Sequence, residues 1–213
     1  MKKLIDKTEF KRQLKDGLSI MVGGFMAVGT SEPLIELIVE SGVKNLTIIC
    51  NDAGYPDRGV GKLISNNQVK TLYASHIGLN PISGELMSEG KLEVHLIPQG
   101  TLVERIRAGG SGLGGVLTRT GLGTLVEENK QKISIEGLEY IVEKPLKADL
   151  AIIRGSEVDH YGNILYHATT RNFNPMMAMA AGTVVVGAEK LVDEINPNHV
   201  MTPHVFVDYI VKE

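Results

Sequence analysis

Short apolar runs rich in β-branched residues alternate along this chain with stretches whose apolar positions recur every third or fourth residue. Leu18 to Val22 is the first such run. After it, Glu32 to Glu40 places Leu34, Leu37 and Ile38 on one helical face. Thr30 or Ser31 precedes it as a capping hydroxyl, Pro33 lies in its first turn and Gly42 follows its end. Leu46 to Cys50 then supplies a second strand-like run. Strand, helix and strand at this spacing predict a βαβ unit, which pairs its strands in parallel through a right-handed crossover. The same pattern predicts further strands over Val69 to Ala74, Leu92 to Ile97, Leu150 to Ile153 and Thr183 to Val186, with helices over Thr8 to Lys15 and Leu102 to Arg107. The predicted fold class is α/β, a mostly parallel sheet with flanking helices.

One segment breaks the rhythm. From Lys132 to Val142 apolar and polar residues alternate about Glu136-Gly137, the pattern of an antiparallel hairpin. A second hairpin-like piece surrounds Tyr161-Gly162-Asn163. Both read as a small β-element added to one domain spanning residues 1–213, with no internal repeat and no low-complexity stretch.

Composition narrows the class of partner. The 213 residues are 43% hydrophobic and 22% charged, enough apolar material for a sizeable core. A formal net charge of −3, with no block of Lys or Arg, argues against nucleic acid or a membrane surface. No run approaches the roughly 18 apolar residues of a membrane span, and the start, Met1 to Lys7, lacks the apolar core of an export signal. The one cysteine, Cys50, ends an apolar run and reads as a small buried hydrophobe in a reducing compartment, so a cytoplasmic location is expected. His160 and His167 flank a turn without partners of metal-ligand type, so no metal site is expected.

Two glycine-rich stretches point to chemistry. Val22-Gly23-Gly24-Phe25-Met26-Ala27-Val28-Gly29-Thr30-Ser31-Glu32-Pro33 joins a strand to a capped helix, the order that brings backbone amides against an anionic ligand. The second runs from Pro98-Gln99-Gly100-Thr101 to Gly115. Its Gly110 to Gly115 segment satisfies G-x-G-x-x-G but follows a predicted helix instead of a strand. That context defeats the dinucleotide reading and leaves turn-shaping as the alternative.

Five collinear stretches carry a family resemblance. Asp16 to Phe25, with Gly29 and Pro33 after it, resembles the signature of the first subunit of family I CoA-transferases. Asn51-Asp52-Ala53-Gly54, Ile97 to Gly110, Thr118-Arg119-Thr120-Gly121-Leu122-Gly123-Thr124 and Arg171-Asn172-Phe173-Asn174-Pro175 resemble the same subunit. The resemblance implies one half of a two-chain enzyme, most simply an α2β2 heterotetramer, that moves CoA from an acyl-CoA to a free carboxylate, with coenzyme A as substrate and not as a resident cofactor. It also implies a glutamate nucleophile on the partner, the β subunit. That glutamate's Ser-Glu-Asn-Gly-type motif is missing here, since Gly155-Ser156-Glu157-Val158 lacks the Asn-Gly continuation.

By the same resemblance, Gly24, Phe25, Met26, Ala27, Val28, Gly29 and Thr30 form the CoA-binding loop, and Gln99 is the catalytic candidate, its amide placed to donate to a developing oxyanion. Asn51 either lines the pocket beyond its strand or serves only turn chemistry, and His76 in Ser75 to Pro81 is a further pocket candidate. The Ser75 to Pro81 stretch is closer to bacterial acetate or butyrate and acetoacetate CoA-transferases than to the succinyl-CoA and 3-oxoadipate branches, so short-chain monocarboxylates with acetoacetate are the expected substrates. Two rivals use similar strand, glycine loop and helix layouts: a sugar-phosphate isomerase, which needs an acid and base within this chain, and a ligand-sensing domain.

Overall fold

The computed structural model describes residues 3–213. A seven-strand parallel path forms its centre, in the order β11 (Tyr209–Lys212), β10 (Ala181–Val192), β8 (Ala148–Asp159), β1 (Ser19–Val22), β2 (Leu46–Cys50), β3 (Val69–Ala74), β4 (Glu93–Leu96). Short β9 (Ile164–Leu165) folds back antiparallel on β8 about the turn at Tyr161-Gly162-Asn163, where a hairpin-like piece is predicted. The chain works outward from β1 to β4, then returns to lay β8 on the other side of β1. That reversal is a topological switch point, the place where open α/β sheets leave a crevice.

Period-two alternation sends the apolar residues of the inner strands to both faces of the sheet. Ile20, Val22, Ile48, Cys50, Leu72 and Ile152 enter one buried cluster with Phe10 of α1 (Lys7–Lys11), Leu34, Ile35 and Ile38 of α2 (Glu32–Ser41), and Leu63 and Ile64 of α3 (Val60–Ser65). Met21, Ile49, Ala151, Ile153, Val184 and Val186 point the other way. They pack with Leu102 and Ile106 of α5 (Gln99–Gly110) and Met177 of α6 (Asn174–Met179). A sheet covered on both faces needs apolar residues on both sides of its inner strands, and the edge strand β4, Glu93-Val94-His95-Leu96, is free of that demand. The remaining helix, α4 (Pro81–Ser88), stands beside α3.

The predicted α2 has the caps its sequence implies: Ser31 Oγ accepts from the Leu34 amide at 3.4 Å, and Gly42 closes it at φ 71°. The first helix is shorter than Thr8 to Lys15, opened by a capping box in which Asp6 and Glu9 accept each other's amides and ended by Lys11. Three helices, α3, α4 and α6, and strand β11 carry no strong periodic signal and are additions to the predicted set. α5 begins at Gln99 itself, so this residue opens a helix.

The hairpin of β6 (Lys132–Ile135) and β7 (Leu138–Glu143) turns through Glu136 and Gly137, both at positive φ, and gains a third strand, β5 (Val116–Thr118). One buried carboxylate ties this lobe to α5. Glu143, 2% exposed, pairs with Lys130 Nζ at 2.5 Å and Arg105 Nη1 at 3.5 Å. Burial pulls the Arg105 guanidinium below its usual range, with Glu143 opposing that shift. Removing the carboxylate leaves a half-buried cation unpaired, so Glu143→Ala is expected to cost about 3 kcal/mol in urea unfolding, with Glu143→Gln less damaging. A change in unfolding midpoint within error would mean the pair is solvated and does not hold the lobe.

Candidate functional site

Because the strands run parallel, the four loops after β1, β2, β3 and β4 leave the same edge of the sheet. They carry Phe25 and Met26, then Asn51 and Asp52, then Ser75 and His76, then Gln99, each within a few residues of its strand's end. All of these residues, with Leu79, line one cavity of about 370 Å³. The fold thus brings together Gln99, Asn51 and His76, which lie far apart in sequence.

The loop after β1 folds back on itself. Phe25 and Val28 exchange both backbone hydrogen bonds, at 3.0 and 2.9 Å, around Met26 (φ 49°) and Ala27 (φ 65°). Such a turn favours Asn and Gly, and here two residues with full side chains occupy it, a strained arrangement that costs on the order of 1 kcal/mol or more per residue. Its amides are largely spent on this folding. Gly24 donates to Asn172 Oδ1, Met26 to Asp52 Oδ2, and Thr30 to Ala27 O. Among the described residues, the Ala27 and Gly29 amides alone in Gly24 to Thr30 have no hydrogen-bond acceptor.

Gly24 is held at φ 129°, and a Cβ there would stand 2.0 Å from Thr30 Oγ1. The space a side chain would take is filled by the loop itself, so glycine serves self-packing at this position as much as ligand approach. Gly24, Ala27 and Thr30 surround a small void of about 10 Å³ with Asn51 and Asp52, while Phe25, Met26 and Val28 face outward, 40%, 38% and 47% exposed. Gly29, at φ 78°, backs onto Thr170.

The loop after β2 repeats the plan. Gly54-Tyr55-Pro56-Asp57-Arg58-Gly59 matches Gly24-Phe25-Met26-Ala27-Val28-Gly29 in its glycines and aromatic residue, and Tyr55 bridges Arg58 as Phe25 bridges Val28. No internal repeat is expected from the sequence, and a six-residue likeness with two glycines in common is too short to announce one. A cavity of about 580 Å³ opens between the twin loops, lined by Phe25, Met26, Val28, Tyr55, Arg58, Thr169 and Asn172.

Asp52 joins the two loops and was singled out by no sequence signal beyond its place in Asn51-Asp52-Ala53-Gly54. It is 7% exposed; Oδ2 accepts from the Met26 amide at 2.8 Å and Oδ1 from the Gly54 amide at 2.9 Å. Both oxygens are therefore engaged. Asn51 differs: 2% exposed, it keeps its backbone oxygen for Ser75, while Nδ2 is buried without a partner. An orphaned donor beside a cavity costs about 1–3 kcal/mol until something accepts from it. Gln99 opens α5, whose N-terminus has no side-chain cap. Cys50, just behind, is fully buried, and desolvation with the Asp52 charge pushes its thiol well above the ordinary range, which removes it as a nucleophile. No group of three or more potential metal ligands occurs among the described residues, and no helix there is long and apolar enough to cross a membrane.

Comparisons place this geometry among known proteins. The family model described as "Coenzyme A transferase" matches residues 7–213. The acetoacetyl-CoA:acetate/butyrate CoA transferase alpha subunit of Clostridium acetobutylicum is 59% identical over 213 residues, covering 99% of this chain and 98% of that protein. The acetate CoA-transferase subunit alpha of Escherichia coli K12 is 49% identical over 210 residues, covering 98% and 94%. Among solved structures, an acyl-CoA transferase of E. coli O157:H7 in a thioester complex with CoA shares the fold at TM-score 0.88 and 22% identity. The match covers 99% of this chain but 49% of that one, so this chain spans about half its length. The chain belongs to the coenzyme A transferase family, among its alpha subunits.

Proposed function

We propose that this chain supplies the acyl-group and carboxylate pocket of a two-subunit CoA-transferase, and that a β subunit supplies the nucleophilic glutamate. The observation that carries this reading is a cavity with donors and no available carboxylate. Gln99 and Asn51, whose side-chain nitrogen is buried without a partner, line it, while the one acid in its wall, Asp52, has both oxygens bound to backbone amides. In this reading the nucleophile comes from outside the chain.

In this scheme the partner's glutamate attacks the thioester carbonyl of an acyl-CoA, CoA thiolate leaves, and an acyl-glutamyl anhydride remains. The thiolate then attacks the glutamyl carbonyl, which releases the first acid and leaves a glutamyl-CoA thioester; the acceptor carboxylate reverses both steps. Each addition creates an oxyanion. The Gln99 side-chain amide donates to it from the positive end of α5, and Asn51 Nδ2 supplies a second donor within the pocket. Gly24 to Thr30 forms the CoA-facing loop, in which the free Ala27 and Gly29 amides are the groups left to meet an anionic or carbonyl oxygen.

The pocket wall also bears on the substrate. Phe25, Met26 and Leu79 give it one apolar side, and no Lys or Arg is among its lining residues. A dicarboxylate would leave its second charge unpaired there, whereas a short aliphatic acid buries only its chain. Together with the names of its relatives, this supports acetyl-, butyryl- and acetoacetyl-CoA with their acids as substrates. His76 faces the same pocket as a polar neighbour of the acid. The chain acts as one domain in a cytoplasmic α2β2 heterotetramer, a reading supported by its free, buried Cys50 and its match along nearly the full length of alpha subunits.

Two outcomes test the scheme. Transfer from butyryl-CoA to acetate or acetoacetate is expected from this chain mixed with its cognate partner and not from either alone. Turnover by the chain alone would place a nucleophile inside it, and inactivity of the mixture would revive the isomerase and sensor readings. Gln99→Ala is expected to lower kcat about 10²-fold in an assembled complex, the usual cost of one oxyanion donor. Wild-type turnover by that variant would remove Gln99 from the chemistry.

A further inference from the structure

The Arg171-Asn172-Phe173-Asn174 run lies far from the glycine loop in sequence, yet it grips that loop. Asn172 Oδ1 accepts from the Gly24 amide at 3.1 Å and from Phe173 at 2.7 Å; Nδ2 donates to Val28 O at 2.9 Å and to Thr169 O at 3.0 Å. Both amide protons and both acceptor directions are used, so the side chain is saturated. It bonds both ends of the Phe25–Val28 turn as a neighbouring strand would. Behind it, Asn174 is fully buried; its Nδ2 donates to Gly29 O at 3.0 Å and Thr170 O at 2.8 Å, and its Oδ1 accepts from the Arg154 amide of β8 at 3.1 Å. A Cβ on Gly23 would fall 1.8 Å from that Oδ1, so the loop and the asparagine fit with no slack.

We infer that Asn172 is a positioning residue for the reaction cavity, its side-chain amide fixing the strained Phe25–Val28 turn and thereby the walls that Phe25 and Met26 present opposite Gln99. The inference rests on the transferase reading of that cavity. Three observations carry it. Met26 and Ala27 hold positive φ without glycine's freedom, so the turn relaxes when its ends are released. Phe25, Met26 and Val28 are too exposed for core packing to hold them. Asn172 itself sits at φ 20°, ψ −118°, a conformation glycine adopts with less strain, so its side chain and not its backbone accounts for an asparagine there. A displacement of about 1 Å in a pocket wall is enough to slow a reaction up to 10²-fold.

The test is Asn172→Gly, which suits the backbone and deletes the grip. In the assembled complex, amide hydrogen exchange is expected to quicken at residues 24–30 and nowhere in the central sheet, while kcat for butyryl-CoA to acetate transfer falls at least tenfold, more than KM for butyryl-CoA rises. Unchanged exchange at 24–30 would overturn the grip, and quickened exchange with wild-type kcat would overturn its role in the reaction. A wild-type complex without transferase activity would count against the transferase reading alone, because the exchange comparison still decides whether Asn172 holds the loop.

Discussion

The parallel direction of the central sheet is the constraint on which the rest depends. Strands that all run one way deliver all their following loops to one edge, so residues separated by a whole βαβ unit in sequence meet there without any further design. Asn51, His76 and Gln99 occupy corresponding places after β2, β3 and β4, and the glycine loop occupies that place after β1, beside the switch point where β8 lies next to β1. The cavity is walled by loops, and loops need their own means of staying in place.

Those means are polar and long-range. Asp52 ties the first twin loop to the second through two backbone amides, and Asn172 and Asn174 tie the first loop to the segment that enters α6. The glycines complete the arrangement by leaving room for side chains from elsewhere: Thr30 fills the space at Gly24 and Asn174 the space at Gly23. A glycine-rich strand-to-helix loop suggests bare backbone turned toward a ligand. In this protein most of that backbone is turned toward other parts of the chain, and two amides remain free.

Legibility in the sequence follows the same division. β2 and β3 appear at their predicted residues because their apolar and β-branched residues face a core on each side of the sheet, and α2 because Ser31, Pro33 and Gly42 mark its ends. β8 and β10 outrun their apolar cores, since ladder pairing with each other carries polar residues such as Arg154 and Glu157 along as strand. α3 and α4 are short and contain Gly61 and Gly84, and α6 reads from its methionines and alanines as core filler, so none shows a helical stripe long enough to detect. Gln99, Asn51 and His76 are legible as candidates through motif and strand-end position, and the fold gathers them at one cavity. The work of Asp52, Asn172 and Asn174 is not legible, because each bonds to backbone on another part of the chain, and a backbone amide leaves no trace in the residue that bears it.

The occupied state of Asp52 explains why this half of the site is incomplete. A carboxylate that accepts two amides at under 3 Å is a good anchor and a poor nucleophile, since attack would require it to abandon both bonds and release both loops, the first of them strained at Met26 and Ala27. Asn51, its neighbour in sequence, is the opposite case: its amide donor is buried and unpaired. The edge of the sheet therefore offers hydrogen-bond donors and apolar wall but keeps its acid for structure. Chemistry that needs a carboxylate attacking a carbonyl can be completed here only by a group that arrives from another surface, and that requirement couples catalysis to assembly.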